Sequence, residues 1–313
     1  KKFSLAKINK IHHSSDLRVD SFCEHYGTCG GCKWQHIEYA AQLKLKNEWA
    51  NDCLQRLGKV EVSEVLPIVG ASNTQFYRNK MEYTFSNKRW LYENESLAEL
   101  EHTNALGFHA PGRFDKVLAI NKCWLQDDLG NEIRNFVYHF CIEHNFTFYD
   151  LREHTGLMRN LMIRNTRKGD WMVNVIFAKD EPDNRGLLLN AISQKFNPHA
   201  LNYCINEKLN DSTFDQTFNS YKGNFEIQEE LNGLKFNISP KSFFQTNPVQ
   251  AEKLYEVALN FAEISKNDVV YDLYCGTGTI TCLAASRAKK AIGVEIIDEA
   301  IQAAKINASI NDI

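Results

Sequence analysis

No stretch of this chain approaches the roughly 20 consecutive apolar residues needed to cross a bilayer, and its first ten residues, KKFSLAKINK, lack the apolar centre of a secretion signal. That pattern excludes a membrane-spanning helix and leads us to expect a cytoplasmic location. A dominant charge of either sign is also missing. The 36 Lys and Arg against 39 Asp and Glu give a net charge of -3, so bulk composition does not describe a basic nucleic-acid binder. The balance is uneven, however. Residues 1–92 carry 14 Lys and Arg against 9 Asp and Glu, net +5, and the remaining residues 22 against 30, net -8. The front is therefore where phosphate contacts would lie, although an excess this small fits a solvated surface equally well. A secreted disulfide framework is absent too, because nine cysteines is an odd number and they crowd unevenly toward the front. Reduced thiols and a metal site fit that distribution better. What the chain does have is 313 residues, 43% hydrophobic, enough for a sizeable core and more than one domain.

The organising stretch is VVYDLYCGTGTITCLAASRAKKAIGVE, Val269 to Glu295, which reads as strand, glycine turn, helix, strand. Val269–Leu273 is an apolar run of the kind a buried parallel strand needs, and Gly276 and Gly278 let the backbone turn sharply and approach a ligand. A helix is predicted from Thr279, its N-terminal end suited to an anion. The second strand ends in Glu295, an acid placed where it can hold a ribose diol. A dinucleotide fold would add a third glycine, and the chain has Thr281 there, which counts against NAD.

Near the front, Cys23-Glu-His-Tyr-Gly-Thr-Cys29-Gly-Gly-Cys32 crowds three cysteines and three glycines into ten residues. Packing gives no reason for this, and metal binding does. Zinc and iron-sulfur clusters both accept four thiolates, and spacing alone does not separate them. The fourth ligand must come from elsewhere, with Cys53, Cys123, Cys141 and Cys204 as candidates. Cys53 lies on a predicted amphipathic helix, Tyr39 to Leu57, with Leu43, Ala50, Leu54 and Leu57 at helical spacing and Gly58 as its stop, and reads as a core thiol.

Residues 60–240 read as mostly β, starting with EVSEVLPIV and interrupted by one helix at about Asp127 to Asn145. Within them Tyr77-Arg78-Asn79-Lys80 has a composition that suits a phosphate or a stacked base as well as it suits an exposed strand start. A further helix is predicted after Pro248, with Leu254, Val257, Ala258 and Phe261 as its apolar face. The chain ends after a helix at Ile297–Ala308, supplying two strands of a sheet expected to have about five or six.

Taken in order, CEHYGTCGGCKWQH, AAQLKLK, YRNKMEYTFS, LGFHAPGRFDKVLAINKC, GLMRNLMIR, SPKSFFQTNPVQAEKLY, DLYCGTGTI and GVE resemble the iron-sulfur type of RNA uracil-5-methyltransferase, over nearly the whole chain. The resemblance implies a multidomain α+β and α/β protein: residues 1–20 as the tail of an oligonucleotide-binding β-barrel, 21–240 as a mostly β central domain, and 241–313 as the incomplete start of a Rossmann-like methyltransferase domain. It implies a 4Fe-4S cluster on Cys23, Cys29, Cys32 and Cys123. S-adenosylmethionine would be held by Gln245, Asp272, Tyr274, Gly276, Gly278, Thr279 and Glu295, and Gln245 could also read the uracil edge. Tyr274 stands where other members have Phe, and Thr279 where some have Asn. The implied substrate is uridine in 23S ribosomal RNA, acted on by a monomer. The nucleophilic cysteine, the base and a later cofactor-binding Asp are expected beyond Ile313. No catalytic residue is therefore assigned here, Cys275 and Cys282 included, and this chain alone is expected to be inactive. The alternatives are a transfer RNA uracil-5-methyltransferase, a branch that usually lacks the cysteine cluster, and a metal-containing RNA-binding protein with a vestigial nucleotide fold.

Overall fold

The computed structural model describes every residue except 1–3, 5, 7, 93 and 94. Its contacts divide the chain into Lys1–Ser72 and Asn73–Ile313.

In the first unit, the strand expected within residues 1–20 falls partly outside the described residues. Among those described, Arg18 forms an isolated bridge with Ile37. The cysteine loop then reverses through short-range bonds, with Tyr26 N donating to Cys23 O at 3.0 Å and Cys29 N to His25 O at 2.8 Å. The Tyr26 hydroxyl donates to Lys33 O and also meets His36 Nδ1. Helix α1 (Tyr39–Asp52) comes next and passes into a wider π-type turn at Cys53–Leu57. Its expected amphipathic packing is not found. Ala41 is the buried residue of α1, while Trp49, Leu54 and Leu57 are exposed. Cys53 is exposed as well, which corrects its reading as a core thiol. The wider turn shifts the angular position of every residue after Asp52, so the spacing counted from Leu43 no longer marks one face. Gly58 does end the helix, but in a right-handed conformation, and Lys59 takes the left-handed one at φ 52°. EVSEVLPIV forms no strand.

The second unit is built on a seven-stranded sheet. Its strands are β1 (Lys80–Ser86), β2 (Ala105–His109), β3 (Val117–Ala119), β4 (Met158–Asn165), β5 (Trp171–Phe177), β6 (Ala200–Ile205) and β7 (Phe218–Gly223), in the order β3-β2-β1-β4-β5-β6-β7. All neighbours are antiparallel except β5 and β6, where Met172 to Phe177 pair in parallel with Ala200 to Ile205. Parallel neighbours need a crossover, and it explains a helix that the strand-like reading of this region missed. After α2 (Asp128–Glu143), α3 (Pro182–Phe196) carries the chain from β5 to β6, with Pro182 in its first turn and Leu188, Leu189 and Ile192 buried. Gly186 in mid-helix hid this element from a propensity argument.

The hairpin of β8 (Ile227–Leu231) and β9 (Leu234–Ile238) turns on Asn232 and Gly233, both left-handed at φ 48° and 80°, as a two-residue hairpin requires. By packing it belongs with the C-terminal elements. Ile227, Leu231, Phe236 and Ile238 share one core with Met172, Ala200, Phe244, Ala251, Tyr255, Leu259 and Leu283. Helix α4 (Pro248–Phe261) buries Ala251, Tyr255 and Leu259 in that core. The expected apolar face, Leu254, Val257, Ala258 and Phe261, is exposed instead. The helix turns its Tyr255 side inward and that face outward. Beyond it come β10 (Val269–Leu273), α5 (Thr279–Ala285), β11 (Lys290–Val294) and α6 (Asp298–Ser309), with β10 and β11 paired in parallel. The two strands form as expected, and in these 313 residues, where β11 is the one hydrogen-bonded neighbour of β10, Val269, Tyr271 and Leu273 are exposed against the expected burial.

Candidate functional site

The loop from Ser239 to Asn247 is fixed to the end of the seven-stranded sheet by two buried residues. Arg164, the penultimate residue of β4, donates from Nη2 to Ser242 O at 2.6 Å and to Pro240 O at 3.3 Å. Burial lowers its pKa to about 10, so the guanidinium is still charged at neutral pH and its bonds to the two carbonyls are charge-assisted. Asn79, just before β1, donates its backbone N–H to Thr246 O at 2.9 Å and its side-chain amide to Gln245 O at 3.1 Å. The YRNK segment thus has a definite task at Asn79, which holds the loop. Asn247 closes the loop by capping α4 through Gln250 N at 3.0 Å.

Gln245 is thereby set beside Tyr255. Burial raises the Tyr255 pKa, a hydrogen bond from Gln245 opposes the rise, and nearby Asp272 adds to it. This chain of neighbours links the loop to β10, where Asp272 accepts from the Thr281 hydroxyl at 2.6 Å. The turn after β10 is left-handed at Tyr274 (φ 69°), Gly276 (φ 55°) and Gly278 (φ 80°). At Gly278 a Cβ would lie 3.0 Å from Ala304 Cβ of α6, and at Gly293 it would lie 2.8 Å from Cys275 Sγ. Both glycines let the turn sit tightly against its supports. Above Gly276 a Cβ would meet nothing within 4 Å, so this side of the turn is an open cradle. Tyr274 is 89% exposed at its rim, and Thr279 is buried at the start of α5.

Glu295 follows β11. Its Oε2 accepts from Gly276 N at 3.0 Å and its Oε1 from Ile296 N at 2.7 Å and Ile297 N at 3.0 Å. These backbone donors hold its pKa below the usual carboxylate range, so it stays an anion at the lip of the cradle. Gln245, Asp272, Tyr274, Gly276, Gly278, Thr279 and Glu295 therefore all belong to one loop-and-turn arrangement, suited to a ligand with hydroxyl and cationic groups.

The sequence reading missed a supporting residue. Asn307 of α6 is fully buried, donates to Thr277 O at 3.0 Å and accepts from Asn237 N of β9 at 2.8 Å, tying the glycine turn to the hairpin. An asparagine in a short helix after a nucleotide-type strand carries no recognisable spacing, so its role becomes visible only once the hairpin is in place.

The cysteines separate by environment. Cys141 on α2 and Cys204 on β6 are fully buried, and burial pushes both thiols up, Cys204 to about 11. They are core residues. Cys282 is also buried and pushed up to about 11. Burial and nearby Asp272 raise the Cys275 thiol. Cys23, Cys29 and Cys32 are half-buried in one reversing loop, with a Gly31 Cβ position 3.6 Å from Cys29 Sγ. Cys123 is buried, and both of its backbone polar groups are taken by Asn131, N to Oδ1 at 2.7 Å and O from Nδ2 at 3.1 Å. Among the described residues no group of three or more His, Cys, Asp or Glu side chains is gathered as for a metal ion. No helix among them is long and apolar enough to cross a membrane.

Residues 157–313 match the tRNA (Uracil-5-)-methyltransferase family. An uncharacterized RNA methyltransferase of Bacteroides thetaiotaomicron is 46% identical across the whole chain, which covers 70% of that protein. Another from Porphyromonas gingivalis is 46% identical over 99% of the chain and 69% of its own length. The chain thus spans about 70% of the length of these relatives. Among solved structures, the Pyrococcus abyssi tRNA (uracil-54, C5)-methyltransferase in complex with S-adenosyl-L-homocysteine superposes with a TM-score of 0.73 over 97% of this chain and 66% of that one, at 23% identity, a likeness of fold. With the glycine turn, the anchored Gln245 loop and these relatives taken together, the chain belongs to the RNA uracil-5-methyltransferase family.

Proposed function

We propose that the protein methylates C5 of a uridine in 23S ribosomal RNA, using S-adenosylmethionine. The observation that carries this reading is the anchoring of Gln245 by Arg164 and Asn79 beside Tyr255 and the Asp272 turn. Gln245, Asp272, Tyr274, Gly276, Gly278, Thr279 and Glu295 hold the cofactor. Glu295 offers its anion to the ribose hydroxyls, exchanging some of its backbone bonds for them, and the open side of Gly276 admits the ligand. S-adenosylmethionine supplies an electrophilic methyl group when bound. Uracil C5 is too weak a nucleophile alone. Thiolate addition to C6 of a flipped base makes C5 nucleophilic enough to take that methyl, a carboxylate then removes the C5 proton, and the C6–S bond breaks to release the thiolate, leaving S-adenosylhomocysteine and the 5-methylated base. None of these 313 residues is assigned to either task.

Ribosomal RNA is preferred over transfer RNA because of the cysteine loop. In this reading Cys23, Cys29, Cys32 and Cys123 bind a 4Fe-4S cluster with a structural or RNA-positioning role, the donor set being all thiol as such clusters require. The transfer RNA reading is favoured by the description of the matching family. Deleting the gene separates the two. Loss of 5-methyluridine from 23S ribosomal RNA with transfer RNA unchanged is expected, and a ribosomal RNA that keeps all its 5-methyluridine would sink the proposal. For the cluster, about four irons with acid-labile sulfide per anaerobically purified protein are expected. They should be lost in Cys123→Ser, and a colourless zinc protein would overturn this assignment.

A further inference from the structure

Three residues before Asn79, the chain carries an aromatic side chain in a place its backbone does not favour. Phe76 has φ 53°, a conformation that costs glycine nothing and that a bulky residue rarely takes. The residue is 40% exposed. In that conformation Phe76 N donates to Trp124 O at 2.8 Å, and two residues on Arg78 N donates to Leu125 O at 2.8 Å. The two short segments run as a pair, and their pairing brings the Phe76 and Trp124 rings side by side, centroids 5.7 Å apart. Lys122 lies over both, its Nζ 4.3 Å from the Trp124 centroid and 5.4 Å from that of Phe76, while also paired with Asp128 at 2.7 Å. Phe76 is exposed and Trp124 half-buried, their ring planes tilted by 46°, and simple packing would not hold a phenylalanine at the surface in a left-handed conformation.

We propose that Phe76 and Trp124 form a stacking platform for an unpaired base of the substrate RNA, with Lys122 beside it to meet the backbone phosphate. Aromatic faces flanked by a cation are the general device for holding single-stranded nucleic acid, because every base presents a π-face. The location suits a flanking nucleotide. Asn79, which holds the Gln245 loop, is three residues from Phe76, a reach of at most about 11 Å of extended chain. A base stacked on the platform would be a neighbour of a uridine presented to Gln245. This inference rests on the proposed action on RNA and extends it to how the strand beside the target is gripped.

The test uses the full-length protein and a short, unstructured, uridine-containing RNA oligonucleotide, with binding followed by anisotropy at two salt concentrations and thermal melting in parallel. Phe76→Gly removes the ring but suits the left-handed backbone, so a platform residue and a packing residue behave differently. Affinity is expected to fall about tenfold with the melting temperature unchanged or raised, and Phe76→Tyr is expected to bind as the parent does. Lys122→Met should reduce the salt dependence by about one phosphate contact. Equal RNA affinity in the parent and Phe76→Gly would overturn the platform. So would a fall in melting temperature in Phe76→Gly with affinity retained. A parent protein that binds no RNA would instead defeat the functional reading beneath it.

Discussion

Two apolar strands of this chain look alike as sequence and end in opposite surroundings. WMVNVIF, β5, is buried at every position, whereas VVYDL, β10, exposes Val269, Tyr271 and Leu273. β5 has β4 and β6 as hydrogen-bonded neighbours and packs Met172 into the core that β8, β9 and α4 complete. β10, in a chain that spans about 70% of its relatives' length, has one partner here, β11, with α5 packed against the pair. An apolar run therefore specifies that a strand forms, and the number of neighbours decides how far it is covered. The contrast can be tested directly. Val173→Asp would place an unpaired carboxylate in a fully enclosed position and is expected to cost more than about 4 kcal/mol, enough to leave the chain largely unfolded. Tyr271→Asp, 64% exposed on β10, is expected to stay within about 0.5 kcal/mol in the 313-residue chain. Urea denaturation of the two variants measures both, and similar losses would break the comparison.

Arg164 connects the two regions, being rooted in the sheet and bonded to the loop that leads to β10. Replacing it with Met keeps much of the side-chain volume and deserts two carbonyls, for an expected loss of about 2–4 kcal/mol. The more informative effect is on ligand binding. If the loop is positioned through this clamp, Arg164→Met should weaken S-adenosylhomocysteine binding by more than its stability loss alone explains, read by calorimetry well below the melting temperature. Unchanged affinity would show that Gln245 is placed by α4 and Tyr255 without help from the sheet.

The legible parts of the molecule are those whose signals are local. The glycine turn with its flanking strands and Pro248 at the start of α4 are each set by a few adjacent residues. What escaped depends on distant partners. α3 exists because β5 and β6 run in parallel, which no feature of PDNRGLLLNAISQKF announces. The buried face of α4 is set by Ala251, Tyr255 and Leu259 meeting a core that distant residues such as Met172, Ala200 and Phe236 complete. For the site, the cofactor-side residues could be named from motif and resemblance. The groups that hold them, Arg164, Asn79 and Asn307, are single polar residues whose partners lie 30 to 167 positions away.

The same distinction between local spacing and tertiary surroundings reaches its smallest expected effect in two cysteines. Cys53 and Cys141 both stand on helical segments among apolar residues, yet Cys53 is exposed at the π-type turn while Cys141 is wholly enclosed on α2. Cys141→Ser would bury a hydroxyl where a thiol needs no partner and is expected to cost about 1–3 kcal/mol. Cys53→Ser exchanges one solvated group for another and is expected to change stability by less than about 0.5 kcal/mol. Thiol-specific labelling of the native protein offers an independent reading, with Cys53 expected to react fast and Cys141 only on unfolding, since its buried thiol is held protonated. A protected Cys53 with a costly serine variant would mean that the turn packs its apolar stripe after all, and the helical spacing would then have been the better guide than the turn.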